Sequence, residues 1–171
     1  ASIPTKMRMS VRELITLGTL STRNLFSFRR RKNDEAVERA LELVDLADLA
    51  EMDIARLSGG QRQRAVIGRA LASNAELLIF DEPLVNVDRS SRNGILKLLD
   101  DLCHNENKTL LMVSHDMTAI RQSAHRVIYL DGQIQYDGKP SEIPDLSGLA
   151  GLVGLQHVHS HPTRRKNDAI E

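Results

Sequence analysis

Between residues 10 and 72 the apolar positions recur at helical spacing, against a background rich in Leu, Ala, Glu and Arg. Within that region, residues 33–50 place Ala36, Val37, Ala40, Leu41, Val44, Leu46 and Ala47 close to a 3.6-residue repeat with acids between them. That pattern predicts one amphipathic helix. Asn33 or Asp34 is its expected N-cap, because a short side-chain oxygen accepts from the open amides of a first turn. Beyond Ala75 the texture changes. Leu77-Leu78-Ile79-Phe80 and Thr109-Leu110-Leu111-Met112-Val113 are short, nearly unbroken apolar runs, suited to strands of a parallel sheet buried on both faces. Between them residues 89–104 predict a crossover helix with Ile95, Leu96, Leu98, Leu99 and Leu102 on its inner side. Strand, helix, strand is a βαβ unit, and the fold class is α/β. Residues 126–130 and 133–136 flank Asp131-Gly132, a hairpin signal. From Pro140 the chain is rich in Gly, Pro and Ser and then in charge and His, so a loosely ordered tail is expected. No internal repeat is present.

Composition narrows the picture modestly. The 171 residues are 41% hydrophobic, enough for one buried core. Twenty-three cations balance 23 anions, so the totals give no argument for a nucleic-acid partner. Aromatics reach only 3% with no Trp, which weakens a base-stacking or carbohydrate platform. The single cysteine, Cys103, has no internal disulfide partner, pointing to a reducing compartment. No stretch approaches the roughly 20 apolar residues needed to span a bilayer. Arg29-Arg30-Arg31-Lys32 reads as a solvated loop, with a lipid or nucleic-acid contact as the alternative.

The most specific run is Leu57-Ser58-Gly59-Gly60-Gln61, followed by Arg62-Gln63-Arg64 and a helical stretch to Ala72. A serine and two glycines before a helix make an anion site. The glycines let backbone N–H groups approach an oxyanion, the hydroxyl adds a donor, and the helix start is partially positive. The same residues also fit an ordinary serine-capped helix. Further on, the apolar run ending at Phe80 leads directly into Asp81-Glu82-Pro83. Carboxylates at the C-terminal end of a parallel strand sit where α/β proteins bind ligands, although two exposed acids often end a strand. Asp88 then fits as the N-cap of the crossover helix. His115, in Val113-Ser114-His115-Asp116, ends the neighbouring strand and reaches the same pocket, with a ring able to donate one hydrogen bond and accept another.

Leu57 to Gln61 resembles the signature sequence of ABC ATPases, and Asp81-Glu82, Asp88 and His115 follow in that family's order. The resemblance covers nearly the whole chain. It implies a P-loop ATPase-like parallel sheet, of which only the C-terminal part is present, with an α-helical subdomain carrying the signature. Residues 1–72 would form the helical subdomain, 73–140 the C-terminal part of the α/β core, and 141–171 the tail. By this resemblance Asp81 is the Walker B residue that helps hold Mg²⁺. Glu82 is the general base that polarises the attacking water. His115 is the switch histidine at the γ-phosphate. Ser58, Gly59, Gly60 and Gln61 bind the ATP held by a facing subunit, and Asp88 ends the D-loop that touches that subunit. The residues just before Asp88 depart from the commoner Ser-Ala-Leu form.

The family also uses G-x-x-x-x-G-K-[ST], whose amides cradle the phosphates. This sequence does not contain it. Gly138-Lys139 is followed by Pro140, lies one residue too far from Gly132, and reads as a turn. Met9-Ser10-Val11-Arg12-Glu13-Leu14 resembles the segment shortly after the family's Q-loop, so the chain is expected to begin just past that loop. Loss of the first strands should leave a sheet edge or an apolar face exposed.

The resemblance implies ATP and Mg²⁺ as cofactors and a second ATPase subunit as a head-to-tail partner. It also implies a membrane permease, an extracytoplasmic substrate-binding protein acting indirectly, and no nucleic acid. The chain would then sit at the cytoplasmic face of the membrane through the permease. The stretch from Met9 to Gly18 resembles importers of metal cations (zinc or manganese) and of iron chelates, and Asn86-Val87-Asp88 fits the metal group. His157, His159 and His161 in the tail either bind Zn²⁺ weakly or fall there by chance. The expected function is therefore the ATPase subunit of a divalent-metal importer. The alternatives are an iron-chelate importer ATPase and a shortened, non-hydrolysing regulatory subunit. Family members without a membrane partner usually carry coiled-coil insertions or a second cassette, and neither is visible.

Overall fold

The computed structural model describes residues 8–20, 30–85 and 87–143. The chain divides into two units, one ending at Ala119 and the other beginning at Ile120.

In the first unit, helix α1 (Val11–Thr16) starts from a reciprocal cap. Ser10 Oγ accepts from the Glu13 amide at 3.1 Å, and the Glu13 carboxylate accepts the Ser10 amide at 2.7 Å. The next two amides find carbonyls outside the helix, Val11 on Met52 at 3.0 Å and Arg12 on Ala50 at 2.8 Å. All the open donors at this helix start are thus paired. Arg12 also forms ion pairs with Glu38 and Glu51. These are exposed and screened by water, so they orient the neighbouring segments more than they stabilise them.

The amphipathic stretch forms α2 (Arg30–Leu43), which stops short of residue 50. Asp45 takes the left-handed conformation with φ of 56°. Leu46 then donates back to the Leu41 carbonyl and Asp45 to that of Glu42, both at 3.0 Å. This is a Schellman stop, and it folds Leu46 back into the core, which is why the apolar repeat outlasts the helix. Residues Ala47–Leu49 make a 3₁₀ turn instead. Because α2 begins at Arg30, Asn33 and Asp34 lie inside it and neither is the N-cap. Helix α3 (Gly59–Ala72) packs on α1 and α2 through small residues. A Cβ added at Gly68 would lie 2.9 Å from Ile15 Cδ1, and one at Gly18 would lie 1.8 Å from the Arg69 carbonyl oxygen. Backbones approach this closely only because side chains are missing there.

The same unit continues as β1 (Leu77–Asp81), α4 (Arg89–Asn105) and β2 (Thr109–Val113). The strands pair in parallel, Leu77 with Thr109 through to Asp81 with Val113, so the expected βαβ unit forms. Ile95, Leu96, Leu98, Leu99 and Leu102 of α4 join Leu78 and Phe80 in a core continuous with that of α1, α2 and α3. Burial on both faces does not hold. Leu77, Ile79, Leu111 and Val113 are between 50% and 64% exposed, because among the described residues the helices cover one face only. Helix α5 (Met117–Ser123) begins just after β2 and buries Ala119. Besides Asp45, three non-glycine residues have left-handed backbones among those described: Asn74, Glu82 and Asn107.

In the second unit, β3 (Val127–Asp131) and β4 (Gln133–Gly138) form the expected antiparallel hairpin around Gly132, whose φ is 67°. Arg126 grips Asp137 through two hydrogen bonds of 2.7 Å. Among the described residues no helix is long and apolar enough to cross a membrane.

The close approach of Gly18 to α3 gives a direct test. Gly18→Ala should destabilise the fold by about 1–3 kcal/mol, as overpacking against an immovable carbonyl does. Urea unfolding followed by circular dichroism reads this as a lower midpoint at unchanged slope.

Candidate functional site

Strand β1 delivers two adjacent carboxylates to its C-terminal end. Asp81 is exposed there as the last residue of the strand. Its carboxylate is the hard oxygen donor that Mg²⁺ takes, so this position fits the expected ion. Glu82 follows with φ of 48°, a conformation costing roughly 1–2 kcal/mol for a residue with a side chain. The surroundings enforce it. The Glu82 amide donates to the Val113 carbonyl at 2.9 Å, its carbonyl accepts from the Val85 amide at 3.1 Å, and Pro83 and Leu84 are buried beyond it. Strain held this firmly is characteristic of functional positions.

The turn aims Glu82 at the end of β2. One oxygen, Oε1, accepts the His115 backbone amide at 3.1 Å and lies 2.7 Å from His115 Nδ1. A single carboxylate atom therefore fixes both the backbone and the ring of His115. The ring is otherwise open, with its side chain 79% exposed. Its pKa is raised above the ordinary imidazole value, first by the hydrogen bond to Glu82 and then by the charge of that carboxylate. Asp116 adds to the effect, while burial and Arg92 oppose it.

Ser58 is the N-cap of α3. Its Oγ accepts from the Gln61 amide at 3.2 Å, and Gln61 Oε1 accepts the Ser58 amide at 3.0 Å. The serine-capped helix is thus present, and because Oγ acts there as an acceptor, its proton stays available to a ligand. Ser58 and Gly59 are exposed, whereas Gly60 is buried. A Cβ at Gly60 would stand 2.4 Å from Ser91 Cβ, so the start of α3 abuts the first turn of α4. Asp88 caps α4, accepting from the Ser91 amide at 2.9 Å and from the Ser90 hydroxyl. Those serines, Ser90 foremost, hold its carboxyl well below the usual carboxylate range.

The structure therefore makes two groups from the expected site residues. Asp81, Glu82 and His115 gather at the level ends of β1 and β2. Ser58, Gly59, Gly60 and Gln61 meet the Asp88 turn through the packing of Gly60 on Ser91. Sequence reasoning missed Ser91 and Arg92, and it gave Asp116 no role. Asp116 Oδ1 accepts from the Thr118 and Ala119 amides at 3.0 and 3.1 Å, and its Oδ2 lies 2.6 Å from an Arg92 guanidinium nitrogen. An Asp just before a helical run is a capping signal that was there to be read. Nothing local marks Arg92, whose partner is 24 residues away. Asn86 and the tail histidines His157, His159 and His161 lie outside the described residues.

A family model described as ABC transporter matches residues 3–85. The zinc uptake system ATP-binding protein ZurA of Listeria innocua is 38% identical over 133 residues, covering 78% of this chain and 52% of that protein. The ferric enterobactin transport ATP-binding protein FepC of Escherichia coli is 34% identical over 149 residues, covering 86% of this chain and 55% of that protein. A solved structure of a metal-chelate type ABC transporter, in an inward-facing conformation, superposes with a TM-score of 0.77 at 29% identity. It covers 90% of this chain and 61% of that one. The chain spans about half the length of the curated relatives it matches.

The Glu82–His115 pair carries a pH signature. A raised histidine pKa means that the folded chain holds this proton more tightly than the unfolded chain. The resulting stabilisation is full below roughly pH 6.5, the unfolded value, and is lost as pH rises through the folded one. In ¹⁵N NMR titrations Glu82→Gln should move the His115 pKa down toward the ordinary value. Identical titration in both proteins rules out the pairing.

Proposed function

Since the chain belongs to the ABC transporter family, we propose that it serves as the ATP-binding and ATP-hydrolysing subunit of an importer. The observation that carries this reading is the shared oxygen by which Glu82 holds His115, at 3.1 Å from its amide and 2.7 Å from its ring. Glu82 accepts the proton of the attacking water as general base. His115, its Nδ1 engaged by Glu82, offers the other ring nitrogen to the terminal phosphate. Asp81 would hold Mg²⁺, which offsets the negative charge of the phosphates. Ser58, Gly59, Gly60 and Gln61 present a hydroxyl and a helix start to a triphosphate bound on a second ATPase subunit. Asp88 faces the same partner. A permease and an extracytoplasmic binding protein complete the assembly, with this subunit at the cytoplasmic face.

Residues 1–72 act in this reading as the signature-bearing helical part and 73–140 as the part that holds the strand-end acids. The cargo is a divalent metal, zinc foremost, in line with the similarity to ZurA. An iron chelate is the second reading, favoured by the similarity to FepC, which covers more of this chain.

Three measurements test the proposal. The 171 residues contain no G-x-x-x-x-G-K-[ST] run, so they should hydrolyse ATP at the background rate when assayed alone. In an ATPase that carries these residues together with such a loop, Glu82→Gln should lower kcat by about 10²–10⁴-fold while ATP still binds. Full turnover in that variant removes Glu82 as the base. Cells lacking the gene should fail to grow under chelation, and rescue by zinc rather than by a ferric chelate separates the two cargoes.

A further inference from the structure

We infer that Arg92 is a positioning residue for His115, acting through Asp116; this inference deepens the proposed function and rests on it.

His115 is held from its upstream side by Glu82, through the amide and the ring. Its downstream neighbour is Asp116, which does two jobs with two oxygens. Oδ1 caps α5 through the Thr118 and Ala119 amides, while Oδ2 takes the Arg92 guanidinium at 2.6 Å. The cap alone would let Asp116 rotate with α5. The Arg92 bond ties it to α4, the crossover helix lying under the sheet, so the peptide linking His115 to Asp116 is anchored on two elements.

Arg92 is placed to do this by its own helix. It sits in the first turn of α4, its amide donating to the Asp88 carbonyl at 3.0 Å, and the same turn is pressed by Gly60 through Ser91. Its side chain bears an internal cost: among the described residues, Arg92 Nε is buried with no hydrogen-bond partner. Unmet N–H groups of this kind are uncommon in folded proteins and call for an explanation. The guanidinium accepts that cost to reach Asp116, whose side chain is mostly buried, in a pair with only 38% and 20% side-chain exposure. A charge-assisted bond in such surroundings is directional as well as attractive. Through this pair the α4 turn that carries Asp88 sets where His115 stands relative to Glu82.

A simple staple between α4 and α5 would affect stability alone, so the test reads geometry and turnover as well. In the full chain labelled with ¹⁵N-histidine, Arg92→Met should shift the His115 ring nitrogens away from their Glu82-bound positions, while Arg92→Lys largely keeps them. In the assembled ATPase that contains this chain, Arg92→Met should lower kcat about tenfold with KM for ATP within about twofold. Arg92→Lys should restore most of the loss. Asp116→Asn keeps the Oδ1 cap but gives up Arg92, so it should match Arg92→Met, and the double variant should be no worse than either. Unchanged ring resonances with intact kcat in Arg92→Met overturn the inference, as do additive losses in the double variant. If Arg92→Met does not fold, Asp116→Asn decides alone, and normal turnover in it overturns the inference. A Glu82→Gln enzyme that still turns over sinks the functional reading itself. An inactive Glu82→Gln beside a fully active Arg92→Met sinks only the positioning role.

Discussion

The parallel register of β1 and β2 is the constraint on which the site depends. Asp81 lies level with Val113, so the residues after each strand leave the sheet side by side. Only with the strands level can the Glu82 amide take the Val113 carbonyl while the Glu82 carboxylate reaches His115, two residues past the end of β2. A slip of one residue would turn every side chain of a strand to the other face and would break both contacts. Register is in turn set by α4, whose leucines pack against Leu78 and Phe80 in one core.

The helical region solves a different problem, the precise placement of a helix start. Ser58 and Gln61 satisfy each other's backbone amides, so the first turn of α3 is complete before any ligand arrives. Preorganised donors need little rearrangement when they meet charge. The position of that turn is fixed below by Gly68 against Ile15 and Val44, and at its tip by Gly60 against Ser91. The missing side chain of Gly60 is what lets the start of α3 lie directly against the first turn of α4.

Much of this was legible in the sequence, for identifiable reasons. The βαβ unit and the hairpin announced themselves as apolar runs and an Asp-Gly turn, signals that depend only on neighbours. The places of Ser58, Glu82 and His115 at the ends of elements were legible because the patterns of those elements are clear. The end of α2 was not, since its stop uses Asp45 where a glycine is the usual sign, and Leu46 prolongs the apolar repeat after the helix has ended. Burial on both faces of β1 failed because an apolar run reveals what a strand can bury and not what covers it. Arg92 and Asp116 stayed hidden because their bond joins distant segments.

Of the described non-glycine residues with left-handed backbones, Asp45, Asn74 and Asn107 are of the types that tolerate it, and Glu82 alone is not. The first three can drift to glycine over a lineage and lose little. At position 82 that same exchange relaxes the chain and deletes the acid in one step. An aspartate there would ease the main chain and keep an acid, but its side chain is one methylene shorter than the one that sets Oε1 2.7 Å from the His115 ring nitrogen, so reach and backbone comfort pull in opposite directions at this corner.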